Sequence, residues 1–248
     1  MHKLKTKLFS YLSSLFLLTF PFAASSQGPG ANKLPPDQVE KAHSRLSHKG
    51  GAVGEIPEML SKTTGDVHVR CVLGVVQRVL VEPPPTPVEE LGMLAAESDL
   101  VVLGKIGTGT SHMTADKDFL YTDWNFTVEE VMKTNGNSPV YPGATILVTR
   151  PGGKLQVNGR TVYATCEDFL DFATGQEYLL YLRYVPETGA YASGGWGAFA
   201  FSPVTRRLDP YNFPESEWKT SDREALLKTA RDGVATSGKF PRTSRGTP

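Results

Sequence analysis

The apolar positions of the chain fall into runs of different period, and each run predicts a different element. The first is continuous, LFSYLSSLFLLTFPF from Leu8 to Phe22, and follows MHKLKTK, which carries three lysines and no acid. It is shorter than the roughly 20 residues that cross a bilayer and ends in the small residues AASS, so it predicts a secretory signal over residues 1–26, cleaved between Ala23 and Gln27. Residues 27–65 are polar and broken by GPG, LPPD and HKGG, which predicts a flexible arm with one short helix, Asp37 to Leu46. Period two begins at Val67, where Val67, Val69, Cys71, Leu73 and Val75 alternate with His68, Arg70, Val72 and Gly74, the pattern of a strand with one buried face. After EPPPTP, Thr86 with Glu89 forms a capping box and Pro87 suits the first helical position, so a helix is expected to about Glu97, running straight into the strand LVVLGKI.

The stretch YTDWNFTVEEVMK, Tyr121 to Lys133, is the longest alternating run. Thr122, Trp124, Phe126 and Val128 share one side, and Tyr121, Asp123, Asn125, Thr127 and Glu129 share the other. The apolar phase slips after Glu130 to Val131, which predicts a β-bulge near Glu129 and Glu130, with Trp124 and Phe126 facing the core. Further strands follow in ATILVTRP, in LQVNGRTVYA around a turn at Asn158-Gly159, in EYLLYLRYV and in GAFAFSPV. Ser221 and Glu224 announce a last helix, Asp222 to about Ala235. The expected fold is mainly β: a small antiparallel OB-like barrel over residues 66–235, with a short helix before the first barrel strand and a C-terminal helix, then a disordered basic tail over 236–248.

Charge changes the picture once the signal is removed, because Lys3, Lys5 and Lys7 leave with it and 23 basic residues face 26 acidic ones. Only the C-terminal stretch is locally basic, so nucleic acid is not an expected partner. No later segment is long and apolar enough to span, and the expected location is secreted or periplasmic. In such a compartment the two cysteines, Cys71 and Cys166, 95 positions apart, are candidates for a bridge that would contribute about 4 kcal/mol in the chain-entropy model; two unrelated buried thiols are the other reading. Asn125-Phe126-Thr127 is a glycosylation sequon on the outer side of its strand.

Candidate chemistry is sparse. GTGTSH, Gly107 to His112, has His112 where a dinucleotide loop needs its third glycine, and GVATSGKF, Gly233 to Phe240, ends in a side chain that holds no magnesium. There is no Gly-x-Ser-x-Gly elbow and no His-Glu-x-x-His pair. His43, His48 and His68 lack the spacing that gathers imidazoles round zinc and read as solvated side chains. His112 near Asp116 and Asp118 reads either as a base oriented by a carboxylate or as an exposed loop residue. Trp196, among the glycines of SGGWGAFAFSP, reads either as a binding anchor or as the plug of the barrel end beside a bulge. No catalytic set, cofactor or metal site is assigned.

The helix running into ESDLVVLGKI, the bulged strand YTDWNFTVEEVMK followed by Asn135-Gly136, the strand ATILVTRP, then Cys166 and TGQEYLLYL are similar in kind and order to the netrin-like domain, the OB-type fold of the tissue inhibitors of metalloproteinases. The resemblance covers roughly Val88 to Val204. It implies a barrel and a disulfide at Cys166, with Cys71 as the partner. In those inhibitors a mature N-terminal cysteine chelates the protease zinc through its free amine; Cys71 lies inside the chain and its nitrogen is an amide, so such inhibition is not expected. The reading is an exported binding or interaction module whose partner is a protein or envelope component, with an exported hydrolase using His112, Asp116 and Asp118 as the alternative and an atypical protease inhibitor as the third.

Overall fold

A computed structural model describes residues 35–47, 55–71, 86–135, 139–166, 169, 171–201 and 222–242. Residues 1–26, expected to be a signal, His48, residues 72–85, Gly136, Ser221 and the last six residues lie outside them. The described chain is mainly β, with two sheets and a C-terminal helix. In order it forms α1 (Pro36–Ser47), α2 (Ile56–Lys62), β1 (Val67–Cys71), α3 (Pro87–Glu97), β2 (Leu100–Met113), β3 (Leu120–Thr134), β4 (Thr145–Pro151), β5 (Gly153–Val157), β6 (Arg160–Cys166), β7 (Glu177–Val185), β8 (Ala190–Phe201) and α4 (Arg223–Thr236).

Pairing runs β2-β3-β4-β8-β7 and back to β2, a closed barrel. It is not wholly antiparallel as expected: β4 and β8 pair in parallel through Val148↔Tyr191 and Thr149↔Ala192. The reason is parity, since a ring of five strands cannot close with every neighbour antiparallel. The bulge expected in β3 is present. Leu103 pairs with Glu130 and Gly104 with Val128, so Glu129 is passed over, and Met132 is passed over in the same way between Val131 and Lys133. Such extra residues bend a long strand as closure of a small barrel requires. The glycine-rich part of β8 is also bulged. Leu180 pairs with Ala198 and Leu182 with Ser193, leaving residues 194–197 opposite Tyr181, and a Cβ on Gly197 would stand 2.8 Å from the Tyr181 carbonyl oxygen.

The continuous apolar runs LVVL and YLLYL are explained by burial on both faces. Leu100, Val102 and Ile106 of β2 and Tyr178, Leu180 and Leu182 of β7 fill the barrel with Phe126, Val128 and Val148. Val101, Leu103, Leu179 and Tyr181 point the other way, with Phe199 and Phe201 of β8, and pack under α3 and α4 against Leu91, Ala95, Leu226 and Ala230. Helix α3 begins as its sequence predicts: Thr86 Oγ1 accepts from the Glu89 amide and Glu89 Oε2 accepts from the Thr86 amide at 2.8 Å. Helix α4 is capped by Asp222, whose Oδ1 accepts from the Ala225 amide at 2.7 Å, and is pinned to the barrel by Arg223, which donates to both Glu177 oxygens at 2.7 Å.

Three expectations are corrected. The hairpin β5–β6, with its turn at Asn158 (φ 52°) and Gly159 (φ 76°), does not belong to the barrel; β6 pairs in parallel with β1, giving a separate sheet β1-β6-β5. Its apolar face, with Val67, Val69, Val162, Ala164 and Cys166, packs with Ile56 and Leu60 of α2 and with Phe119 and Leu120. The second concerns the arm expected over 27–65: the helix expected at Asp37 to Leu46 is present as α1, but in its described part α1 sits on the barrel with His43 buried and α2 is part of a core. The third concerns the tail. Residues 236–242 continue past α4, and Arg242 donates from Nε to the Ala96 carbonyl at 3.0 Å and from Nη2 to Asp99 at 2.5 Å. A cation there meets the orphan carbonyls at the end of α3, which is why this basic residue is held.

Candidate functional site

The strongest polar constellation forms on the outer wall of the barrel. Strand alternation puts Tyr121 and Asp123 on the outer side of β3, and register brings His112 of β2 opposite Tyr121 and Thr149 of β4 opposite Asp123. Helix α1 covers this face, where His43 is only 4% exposed. The two imidazoles converge on one carboxylate oxygen: His43 Nδ1 is 3.5 Å and His112 Nε2 3.6 Å from Asp123 Oδ2. The other oxygen, Oδ1, accepts from Thr149 Oγ1 at 2.5 Å. Tyr121 lies between the imidazoles, stacked on His112 at 5.1 Å and edge-on to His43 at 5.4 Å between centroids. His43 Nε2 is buried with no hydrogen-bond partner among the described residues.

The surroundings set the protonation states. Burial holds His43 below the usual histidine range; the Asp123 carboxylate opposes this and the neighbouring His112 adds to it. Burial, with the negative charges of Asp123 and Glu40, pushes the Tyr121 phenol up to about 12. The cluster thus holds a neutral imidazole beside a carboxylate. A base and an orienter are present, but the nearest hydroxyls are ill placed for attack: Thr149 donates to Asp123 and the phenol stays protonated. Among the described residues no group of three or more His, Cys, Asp or Glu side chains is arranged to hold a metal ion.

This grouping differs from the expected one. His112 is at the end of a strand, and its carboxylate is Asp123; Asp118 instead accepts from Thr114 Oγ1 at 3.0 Å within the β2–β3 turn, and Asp116 is exposed in that turn. His43 is not solvated, whereas His68 is exposed and stacked flat on Tyr163 of the small sheet at 4.7 Å. No sequence spacing joins His43 to residues 69 and 80 positions away; only the docking of α1 does.

Inside the barrel, Phe126 is fully buried as expected, while Trp124 is half-buried near the barrel end, packed on the interior cluster and edge-on to Phe172 at 5.9 Å. Beside it Arg150 is buried, its guanidinium 4.1 Å from the Phe172 ring centroid, and burial lowers its pKa to about 10. Sequence reasoning missed Arg150. The signal available was its position two residues after Val148, on the inward side of TILVTRP.

Trp196 lies in the bulged part of β8, and its side chain is outside what is described. Asn125 is exposed and its Nδ2 donates to Thr108 Oγ1 at 3.2 Å. Cys71 and Cys166 are direct register partners at the ends of the parallel strands β1 and β6. No described helix is long and apolar enough to cross a membrane. No protein-family model matches the chain, and no curated protein matches it.

Proposed function

We propose that the chain is an exported interaction module: an OB-type, netrin-like barrel with a Cys71–Cys166 bridge, recognising a protein or envelope component through its outer surface. The observation that carries this reading is the solid interior of the barrel. Phe126, Val128, Val148, Leu180 and Leu182 are at most 1% exposed and fill the space that an enclosed ligand would need. Recognition is therefore assigned to the exterior. Five strands in a closed, crossed-over order, with one helix entering the first barrel strand, support the OB-type assignment.

The bridge is supported by the register of Cys71 and Cys166, because neighbouring strands lie about 4.8 Å apart and a disulfide spans Cα atoms about 4.4 to 6.8 Å apart. Export rests on the lysine-led apolar run at the N-terminus. Hydrolysis is the less favoured reading, since the His43–Asp123–His112 group has no activated nucleophile among its described neighbours. Zinc-protease inhibition is weaker still, because the Cys71 nitrogen is an amide within β1.

The test uses the mature, oxidised chain immobilised beside a reduced and alkylated copy. A discrete partner from its own envelope or medium, bound by the first and not by the second, is the expected result. Turnover of ester, peptide or phosphodiester substrates that is lost in both His112→Ala and Asp123→Asn would put the hydrolase first.

A further inference from the structure

Helix α1 meets the barrel through an arrangement that an ordinary helix–sheet contact does not need. Among the described side chains of α1 the buried one is a histidine, and that histidine faces a carboxylate already approached by a second imidazole. Among the described residues, the charged and titratable groups around His43 are His112 from β2 and Tyr121 and Asp123 from β3, with Glu40 of its own helix acting on Tyr121; β4 contributes Thr149, which does not titrate.

We propose that His43 is an acid-released latch, holding α1 against the outer wall of the barrel at neutral pH and letting it go on acidification. The inference is independent of the interaction-module reading. Docked and neutral, His43 can turn an Nδ1–H toward Asp123 Oδ2, leaving Nε2 as a buried acceptor with no hydrogen-bond partner among the described residues. A second proton would have to go on Nε2, where a buried N–H finds no acceptor among the described residues. Asp123 favours that charge, but the same carboxylate oxygen is already approached by the His112 imidazole, on the more open side of Tyr121.

The sign follows from linkage. The docked His43 pKa lies below its free value near 6.5, so the undocked helix binds more protons once the pH falls through that value. Docking is thus fully effective above about pH 7, weakens as the pH drops through the histidine range, and stops weakening only below the docked pKa. Release would uncover the outward side of β3 and β4 at Tyr121, Asp123 and Thr149, a polar surface that α1 covers when docked.

Hydrogen exchange of the full mature chain, corrected for intrinsic rates, reads the latch directly. Between about pH 7.5 and about pH 5 the protection of the α1 amides should fall at least about threefold, while the Phe126 and Val128 amides of β3 stay unchanged. In His43→Asn, which keeps a donor near the Nδ1 position, and in His43→Leu, which fills the same space without titrating, α1 should hold the same protection at both pH values. Unchanged wild-type α1 protection, no α1 protection at about pH 7.5, or an acid loss that persists in both variants would overturn the proposal. The wild-type profile decides alone if neither variant keeps α1 docked.

Discussion

The barrel and the layer beside it are built on opposite principles. The barrel buries both faces of β7 and of the first half of β2, so each of those strands contributes to two apolar clusters at once, and the five strands close into a ring. The neighbouring layer is a three-stranded sheet with one covered face, a two-turn helix α2, and α1, whose buried contact includes a histidine. A region held from both sides tolerates the loss of one contact poorly but opens rarely. A region held from one side opens first, and whatever pins it governs how often.

The comparison can be broken most sharply at Phe126. Phe126→Ala removes a fully buried ring from the barrel interior and should destabilise the whole protein by about 3–5 kcal/mol in denaturant melts. Trp124→Ala, truncating a half-buried ring, should cost distinctly less; an equal or larger loss would show that the barrel end, not the interior, carries the fold. Replacing both Cys71 and Cys166 by Ser should lower stability by about 2–4 kcal/mol if they are bridged, with the loss appearing first in the small sheet. No change relative to the unreduced wild type would argue against the bridge. Asp222→Ala removes the α4 cap and should cost about 1 kcal/mol, felt in the helices over the barrel and not in α1. The smallest effect belongs to Arg231→Ala, whose pair with Glu130 is largely exposed and contributes on the order of 0.2–1 kcal/mol, fading with salt.

What was legible in the sequence follows the same divide. Helix α3 could be read to the residue because its capping box and Pro87 are local signals. The β3 bulge showed as a phase slip in a single run, and the Asn158-Gly159 turn as a dipeptide. The separation into two sheets was not legible, because β5 and β6 have the alternation of barrel strands, and only the partner of their apolar face distinguishes them. That partner includes α2, whose apolar content, Ile56, Met59 and Leu60, is too short a pattern to stand out from a polar stretch. The candidate site was half legible. His112 was noticed as a histidine near acids, but the adjacent acids in sequence were the wrong ones; Asp123 reaches it across the β2–β3 pairing, and His43 across the docking of α1. Arg150 was hidden because charge in a strand is normally read as its outer face.

The central claim is that a self-sufficient barrel carries a separately pinned layer. Native-state hydrogen exchange on the mature protein, with and without reductant, tests it most directly. The account predicts that β3 and β7 amides exchange only through global unfolding in both conditions, while β1, β6 and α2 exchange through a smaller opening that reductant makes more frequent. Exchange of both regions in one step, unaffected by reductant, would contradict it.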